Sequence, residues 1–441
     1  MANVVLIGNG PLPHSEANYV SFPQLRFEQF LRGLLLGGHS VSVISVESGA
    51  SGNKISGEGW EGISVEAESE GWVAEAFKLI SSAEHDCIVA AGPYNSVRLA
   101  TLVCGELPLW ADIPGDPFAE AQVKDSLNGT VDATSIMASI YGPCLARADR
   151  FSAISASQRA ALLGQIGLCG RLPSASLEHK WVSVIPGAYY FAGVAPSNMR
   201  ERRGEQLVVA LIGGYNTWFD GESLLEGLLI AMDNHSSLSV VSTGGAIPNH
   251  HNETYERFLE GALASRHSDR FSFHGWVTHT KVFEILKQAD VGLTMDREGL
   301  EAELGARTRV ILFLHQGLEV ITTTGSDFTR DMVEKGFAIG VDVGDSEGLS
   351  VALGDLLVEE RPERVASAQS YLSSEHSIDA LSLELNAWVS SPSRVSPAQT
   401  PLALVSGELE SVKAELRGVY SSITWRVLGR LFRTLRGIFR R

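Results

Sequence analysis

The sequence predicts an α/β protein of two doubly wound, Rossmann-like domains facing each other across a cleft, followed by a C-terminal amphipathic helix. Three observations carry this expectation. The chain has 441 residues, more than one hydrophobic core usually organises. Short apolar runs alternate with segments of helical period, the pattern of parallel sheets covered on both faces. The alternation breaks at the polar, charged stretch PSNMRERRGEQ, around residues 196–206, and then starts again.

The first series opens with Asn3 to Gly8 (NVVLIG), a buried strand ending in the Gly/Pro-rich loop GNGPLP. Phe27, Phe30, Leu31 and Leu34 to Leu36 recur at helical spacing, and Gly37-Gly38-His39 closes that helix before a strand over Ser40 to Val46. Further strands are expected at Asp86 to Ala91, Leu107 to Ala111, Phe151 to Ser155 and Trp181 to Ile185, with a helix over Gln158 to Leu168. The second series has strands at Leu207 to Ile212, Leu238 to Ser242, Arg270 to Phe273, Val291 to Thr294, Glu319 to Thr323 and Ala338 to Val341, and a helix from Glu222 to Met232. The resulting division is 1–195 for the first domain, 196–390 for the second, 391–407 for a Ser/Pro-rich linker and 408–441 for a basic helix. Ligands of such sheets sit beyond the carboxyl ends of the strands, which directs attention to the cleft.

The formal net charge of -17 excludes non-specific binding to nucleic acid, which needs a basic face. The charge is uneven, however. Between Gly418 and Arg441 stand Arg426, Arg430, Arg433, Arg436, Arg440 and Arg441 with no acidic residue, while Val427/Leu428, Leu431/Phe432, Leu435 and Ile438/Phe439 form an apolar stripe. A basic amphipathic helix behind a flexible spacer fits an anionic membrane surface, the alternatives being a helix docked on the acidic body or on a partner. Cys87, Cys104, Cys144 and Cys169 are far apart and read as thiols of a reducing compartment. The N-terminus lacks a basic n-region and an unbroken apolar core, so the expected location is cytoplasmic, peripheral to the inner face of the membrane. The oligomeric state is open, homo-oligomers included.

Candidate chemistry concentrates in two segments of the second domain. Gly213-Gly214-Tyr215-Asn216-Thr217-Trp218 joins a strand to a helix, so it is either a phosphate-binding turn or a tight turn that binds nothing. In Glu301-Ala302-Glu303-Leu304-Gly305-Ala306-Arg307-Thr308-Arg309, two arginines flank a threonine at the start of an expected helix. There Arg307 and Arg309 can neutralise a leaving diphosphate, and Glu301 can hold sugar hydroxyls or face the anomeric carbon. The bland alternative is a solvated helix start.

In the first domain, Asp112 and Asp116 of ADIPGDP are either cleft acids able to accept a proton or turn aspartates bonded to their own backbone. His14 lies in the first glycine-rich loop, within reach of an acceptor hydroxyl, whereas His39 reads as structural. The histidines have no metal-ligand spacing, and no D-x-D pair stands in a suitable loop, so neither cofactor nor obligatory metal is expected.

The runs FHGWVTHTKVFEILKQADVGLTM and EAELGARTRVILFLHQGLEVITTTGSDF resemble the donor domain of family-4-like GT-B glycosyltransferases, in particular a bacterial surface-polysaccharide branch. GLLLGGHSVSVIS, LWADIPGDPF and AISASQRAALLGQIGL resemble that family's acceptor-side segments more weakly, and the basic tail of this chain resembles the W-R-x-x-x-x-L-R tail of the same enzymes. The resemblance implies that Gly275, Trp276 and Val277 lie beside a nucleotide base, that Arg307, Thr308 and Arg309 meet the diphosphate, and that Glu301 faces the donor sugar. It further implies a metal-independent, retaining transfer from a nucleotide-sugar donor to a glycan or lipid-linked acceptor. The chain departs from the family pattern at Leu312, where a second glutamate is usual, and at Glu319, where a proline is usual. A nucleotide-sugar epimerase of the same architecture and a non-catalytic GT-B-like subunit are the other readings.

Overall fold

The structure, a computed structural model, describes residues 1–13, 19–49, 52–172, 177–201, 206–247, 252–359 and 361–395. His14, residues 396–407 of the expected linker and the whole of the basic segment 408–441 lie outside the described residues.

The first domain runs β1 (Asn3–Asn9), α1 (Phe22–Leu36), β2 (Ser40–Glu47), β3 (Lys54–Gly57), β4 (Trp60–Glu66), α2 (Trp72–Ile80), β5 (Cys87–Ala91) and α3 (Asn95–Val103). It continues with β6 (Leu109–Asp112), α4 (Pro117–Asn128), α5 (Asp132–Arg147), β7 (Arg150–Ala153), α6 (Ala156–Leu168) and β8 (Val182–Val184). The eight strands lie in the order β3-β4-β2-β1-β5-β6-β7-β8, parallel except for β3 against β4. The hairpin β3–β4 is absent from the expectation above, because GEGWEGISVE mixes charges and glycines with few apolar residues. β3 is the sheet edge and largely exposed, and β4 beside it buries only Gly62, Ser64 and Val65, so neither needs a continuous apolar run.

Along β1 the pleat sends alternate residues to opposite faces. Val5 and Ile7 pack with Val97 and Leu99 of α3 and Trp72 of α2, while Val4 and Leu6 pack with Phe27, Phe30 and Leu34 of α1. The run is apolar throughout because both faces are covered.

The second domain comprises β9 (Leu207–Leu211), α7 (Gly221–Asn234), β10 (Leu238–Ser242), α8 (Glu253–Ala264), β11 (Phe271–Phe273), α9 (His279–Leu286), β12 (Val291–Thr294), α10 (Leu300–Leu304) and α11 (Thr308–His315). Then follow β13 (Glu319–Thr323), α12 (Asp327–Glu334), β14 (Ile339–Val341), α13 (Ser346–Val358), α14 (Pro362–Glu375) and α15 (Ile378–Val389). Its six strands are all parallel, ordered β11-β10-β9-β12-β13-β14. In each sheet the first strand is central and the order reverses beside it, so β1/β5 and β9/β12 are the points where a crevice opens.

One boundary needs correction. Residues 196–390 were expected to form the second domain, yet α15 returns to the first, where Leu385 and Val389 are buried against Val4, Leu6 and Phe27. The reason lies in the face of β1 that α1 leaves uncovered: α15 packs along α1, and Asn386 Nδ2 donates to the Gly33 carbonyl at 3.0 Å. The chain crosses between domains twice, and the crossings are stitched together, with Tyr189 N donating to the His376 carbonyl at 2.8 Å.

At the carboxyl edge of the first sheet, Arg26 and Asp112 form a fully buried ion pair, with Nε and Nη2 donating to the two carboxylate oxygens at 2.8 and 2.7 Å. Removing one partner strands a charge in the core. Arg26→Met is therefore expected to lower the unfolding free energy by about 3–5 kcal/mol in urea denaturation. The double change Arg26→Met with Asp112→Leu should cost less than the sum of the two single changes; additive losses would disprove the coupling.

Candidate active site

The two crevices meet in a cavity of about 340 Å3 between the domains, which shares walls with a smaller one of about 140 Å3. Phe22, Pro114 and Glu120 from the first domain and Asn216, Trp218, Thr308 and Arg309 from the second line both. The domains touch beside the cleft. Ser157 donates through its backbone N–H and its hydroxyl to the Asp327 carboxylate, both at 2.8 Å, and α10 packs on α4 and α6.

The wall supplied by the second domain follows the carboxyl ends of β9 and β10. Gly213, with φ +80°, turns the chain out of β9, and Gly244, with φ +86°, leaves β10 so close that an added Cβ would lie 2.4 Å from the Gly213 carbonyl oxygen. Only glycine permits this approach. Gly213 and Gly214 line the larger cavity, as do Asn216 and Trp218; Thr217 is turned inward, 6% exposed, and lines neither. Trp276 and Val277 line it too, with the Trp276 indole N–H donating to the Ala246 carbonyl at 2.6 Å. Gly275 builds the turn instead: at φ +61° its carbonyl accepts from Gly244 N at 2.7 Å.

The arginines flanking Thr308 have different partners. Arg307 is 6% exposed and held between two carboxylates, Asp296 at the end of β12 and Glu301 of α10, with Nη2 donating to Glu301 Oε2 at 2.8 Å. Arg307, expected to meet a diphosphate, lines the smaller cavity with its guanidinium already paired to both carboxylates. Arg309, on the first turn of α11, donates to the Gly214 carbonyl and lies 5.4 Å over the Phe219 ring. Among the described residues no carboxylate forms an ion pair with it, and burial lowers its pKa. A desolvated cation beside the glycine turn and the start of a helix can hold an anion. Thr308 stands next to it, half-buried, and lines both cavities.

Glu301 lines the smaller cavity and is buried. Burial pushes its carboxyl up to about 7, against the pull of Arg307 and with help from Glu120 and Asp296. Two carboxylates share one guanidinium, so the desolvated group carries an excess negative charge that a proton relieves.

Asp112 does not act as a cleft base. It is 0% exposed and accepts from Arg26, from Ser152 Oγ at 2.6 Å and from Gly92 N at 3.2 Å, which leaves no oxygen for a substrate. Asp116 caps α4, its carboxylate accepting from Phe118 N and Ala119 N at 3.0 and 2.9 Å. His39 accepts from Ala2 N, a structural contact. Leu312, at the position of the usual second glutamate, lines the larger cavity as an apolar wall. Glu120 and Tyr94 escaped the sequence reading, since PGDPFAEAQ marks a helix start and says nothing of what faces it. Among the described residues no group of three or more His, Cys, Asp or Glu side chains is placed to hold a metal ion.

No family model matches the chain, and no curated protein matches it. Solved structures do. Sucrose-phosphate synthase from Thermosynechococcus elongatus superposes with a TM-score of 0.59 at 13% identity, over 88% of this chain and 98% of that one. An α,α-trehalose-phosphate synthase (UDP-forming) from Burkholderia vietnamiensis gives 0.62 at 10% identity, over 88% and 98%. HepE from Anabaena in complex with UDP-glucose gives 0.60 at 12% identity, over 89% and 100%. This chain has the GT-B fold. In GT-B terms the cavity described above is the interdomain cleft, with the Gly213–Gly214 turn, α11 and Arg309 on its second-domain side.

The raised Glu301 carboxyl has a measurable consequence. Its folded pKa, about 7, lies above the unfolded value near 4.5, so its contribution to stability is fully present below pH 4.5 and is lost as pH rises through about 7. Relative to Glu301→Gln, which stays neutral, the wild-type protein is expected to lose at most about 3 kcal/mol between pH 4.5 and 8. Urea denaturation across that range tests it; parallel curves for the two proteins would contradict the assignment.

Proposed function

We propose that the chain is a glycosyltransferase, moving a sugar from a nucleotide-sugar donor to a glycan or lipid-linked acceptor. The observation that carries this reading is Arg309, a part-buried cation without a carboxylate partner among the described residues, facing the interdomain cavity of a GT-B fold. The donor diphosphate sits against Arg309, the first turn of α11 and the Gly213–Gly214 turn, with the base beside Trp276 and Val277 and the sugar directed toward Glu301 and the smaller cavity. The acceptor oxygen bonds to the anomeric carbon as the bond from that carbon to the diphosphate oxygen breaks, and the hydroxyl proton passes to the leaving diphosphate. Arg309 and the helix start stabilise the charge that develops there, and closure of the cleft positions the reactants.

Retention of configuration and a role in bacterial surface-polysaccharide synthesis rest on the family-4-like motifs. A uridine diphosphate donor is the first choice, since HepE was solved with UDP-glucose and the Burkholderia enzyme is UDP-forming. The protein works at the cytoplasmic face of the membrane, held by the arginine-rich segment 418–441. No helix among the described residues is long and apolar enough to cross a membrane.

Two measurements test these points. In a thermal-shift panel of UDP, GDP, ADP and their glucose conjugates, one nucleotide family should raise the melting midpoint, and Arg309→Ala should weaken its binding about tenfold or more. If no nucleotide shifts the midpoint, the chain is better described as a non-catalytic subunit of this fold. In vesicle co-sedimentation, the full chain should pellet with phosphatidylserine-containing vesicles and not with phosphatidylcholine alone, and added salt should release it; equal sedimentation with both lipids, or with neither, would count against the membrane assignment.

A further inference from the structure

The first-domain side of the cleft carries a carboxylate with no assigned task. Glu120, on the first turn of α4, lines both cavities, and its side chain is 19% exposed. Oε2 accepts from the Tyr94 hydroxyl and faces Lys124 Nζ at 3.8 Å. Oε1 has no hydrogen-bond donor among the described residues. It points toward Gly115, where φ is +86° and an added Cβ would come within 3.4 Å of it. Half of the carboxylate is thus anchored and half is open to the cavity.

The anchor is built with care for direction. Tyr94 has φ 58°, in the left-handed region that a tyrosine enters only when its surroundings hold it there. It follows Gly92 and Pro93 at the end of β5, and its N–H donates to the hydroxyl of buried Tyr141 at 2.9 Å. This conformation accompanies the bond from the Tyr94 hydroxyl to Glu120 on the same side of the cleft, and Lys124 lies 5.7 Å over the same ring. Strain kept at a cavity wall to orient one hydrogen bond is the signature of a prearranged recognition group. Burial raises the Glu120 carboxyl, with Lys124 and the Tyr94 hydrogen bond opposing the shift.

We propose that Glu120, oriented by Tyr94, accepts a hydrogen bond from a hydroxyl of the acceptor, making the junction of the two cavities a subsite for a neutral polyhydroxylated ligand. The inference rests on the glycosyltransferase reading, which brings an acceptor hydroxyl to this side of the donor. The neighbouring walls suit such a ligand: Phe22, Pro114 and Trp218 line both cavities and offer apolar faces to sugar C–H groups, while Glu120 and Asn216 offer hydrogen bonds. A cationic ligand is disfavoured, because Lys124 already stands beside the carboxylate and Arg307 acts on it from across the cleft. Tyr94 lines the larger cavity but not the smaller one, and toward the ligand hydroxyl it is a positioning residue, acting through Glu120.

The test uses the full chain with UDP and with D-glucose as a neutral hydroxylated probe, binding of each measured separately by calorimetry and by saturation-transfer NMR. Wild type is expected to bind D-glucose, Glu120→Ala to bind it about tenfold more weakly, Tyr94→Phe to fall between, and Glu120→Gln, which keeps an acceptor oxygen, to recover part of the loss. UDP affinity should stay constant across these three variants and drop only in Arg309→Ala, which also shows that the Glu120 and Tyr94 variants are folded. D-glucose binding equal in wild type and Glu120→Ala, or absent from wild type, overturns the subsite. Absence of UDP binding in wild type would instead overturn the donor reading, and the D-glucose comparison, made without nucleotide, remains decisive for Glu120.

Discussion

The carboxyl edge of the first sheet depends on one buried ion pair. Asp112, at the end of β6, gathers Arg26 of α1, the Ser152 hydroxyl of β7 and the Gly92 N–H that follows β5, and Arg26 in turn donates to the Pro186 carbonyl in the first interdomain crossing at 3.0 Å. Four chain segments are thereby fixed around one carboxylate. Fully desolvated charges need this many partners to be tolerated in a core. The arrangement holds the Gly92-Pro93-Tyr94 turn and α4 at the cleft, where Tyr94 and Glu120 stand.

The second domain solves the same problem differently. Arg307 is clamped by Asp296 and Glu301, so it ties the end of β12 to α10 and α11 and keeps its charge for the fold. Arg309, two residues on, gets a carbonyl and an aromatic face and keeps its charge for the cavity. The contrast explains how one short motif both builds the wall and charges it. The wall carries a shared, nearly balanced charge around Glu301 and an unshared positive charge at Arg309.

The site is assembled from both halves of the chain because parallel strands release their loops at a single edge and the two edges face each other. Contacts beside the cleft keep them there: Asp327 accepts from Ser157 at the start of α6, and α15 returns to pack on α1, so that the carboxyl-terminal helix of the described residues is part of the first domain's cover. Such a return strap couples the orientation of the domains to the packing of both.

The sequence by itself determined the two α/β series, because strands buried on both faces must be apolar throughout and the helices covering them must keep a helical period. It also marked the Gly213–Gly214 turn and the Glu301–Arg309 segment, since glycine freedom and clustered arginines are properties of residue type. Only the tertiary structure decided the rest. Asp112 and Glu120 are both acids near a strand end in one short stretch of sequence, yet one is sealed by Arg26 and the other opens on the cavity. Arg307 and Arg309 are the same residue type two positions apart, yet one is paired twice and the other faces the cleft. The hairpin β3–β4 and the return of α15 escaped for a related reason: the strand that β4 pairs with and the helix that α15 packs on are distant in sequence. Burial, pairing and exposure are relations between segments, and they come into being only when the chain is folded.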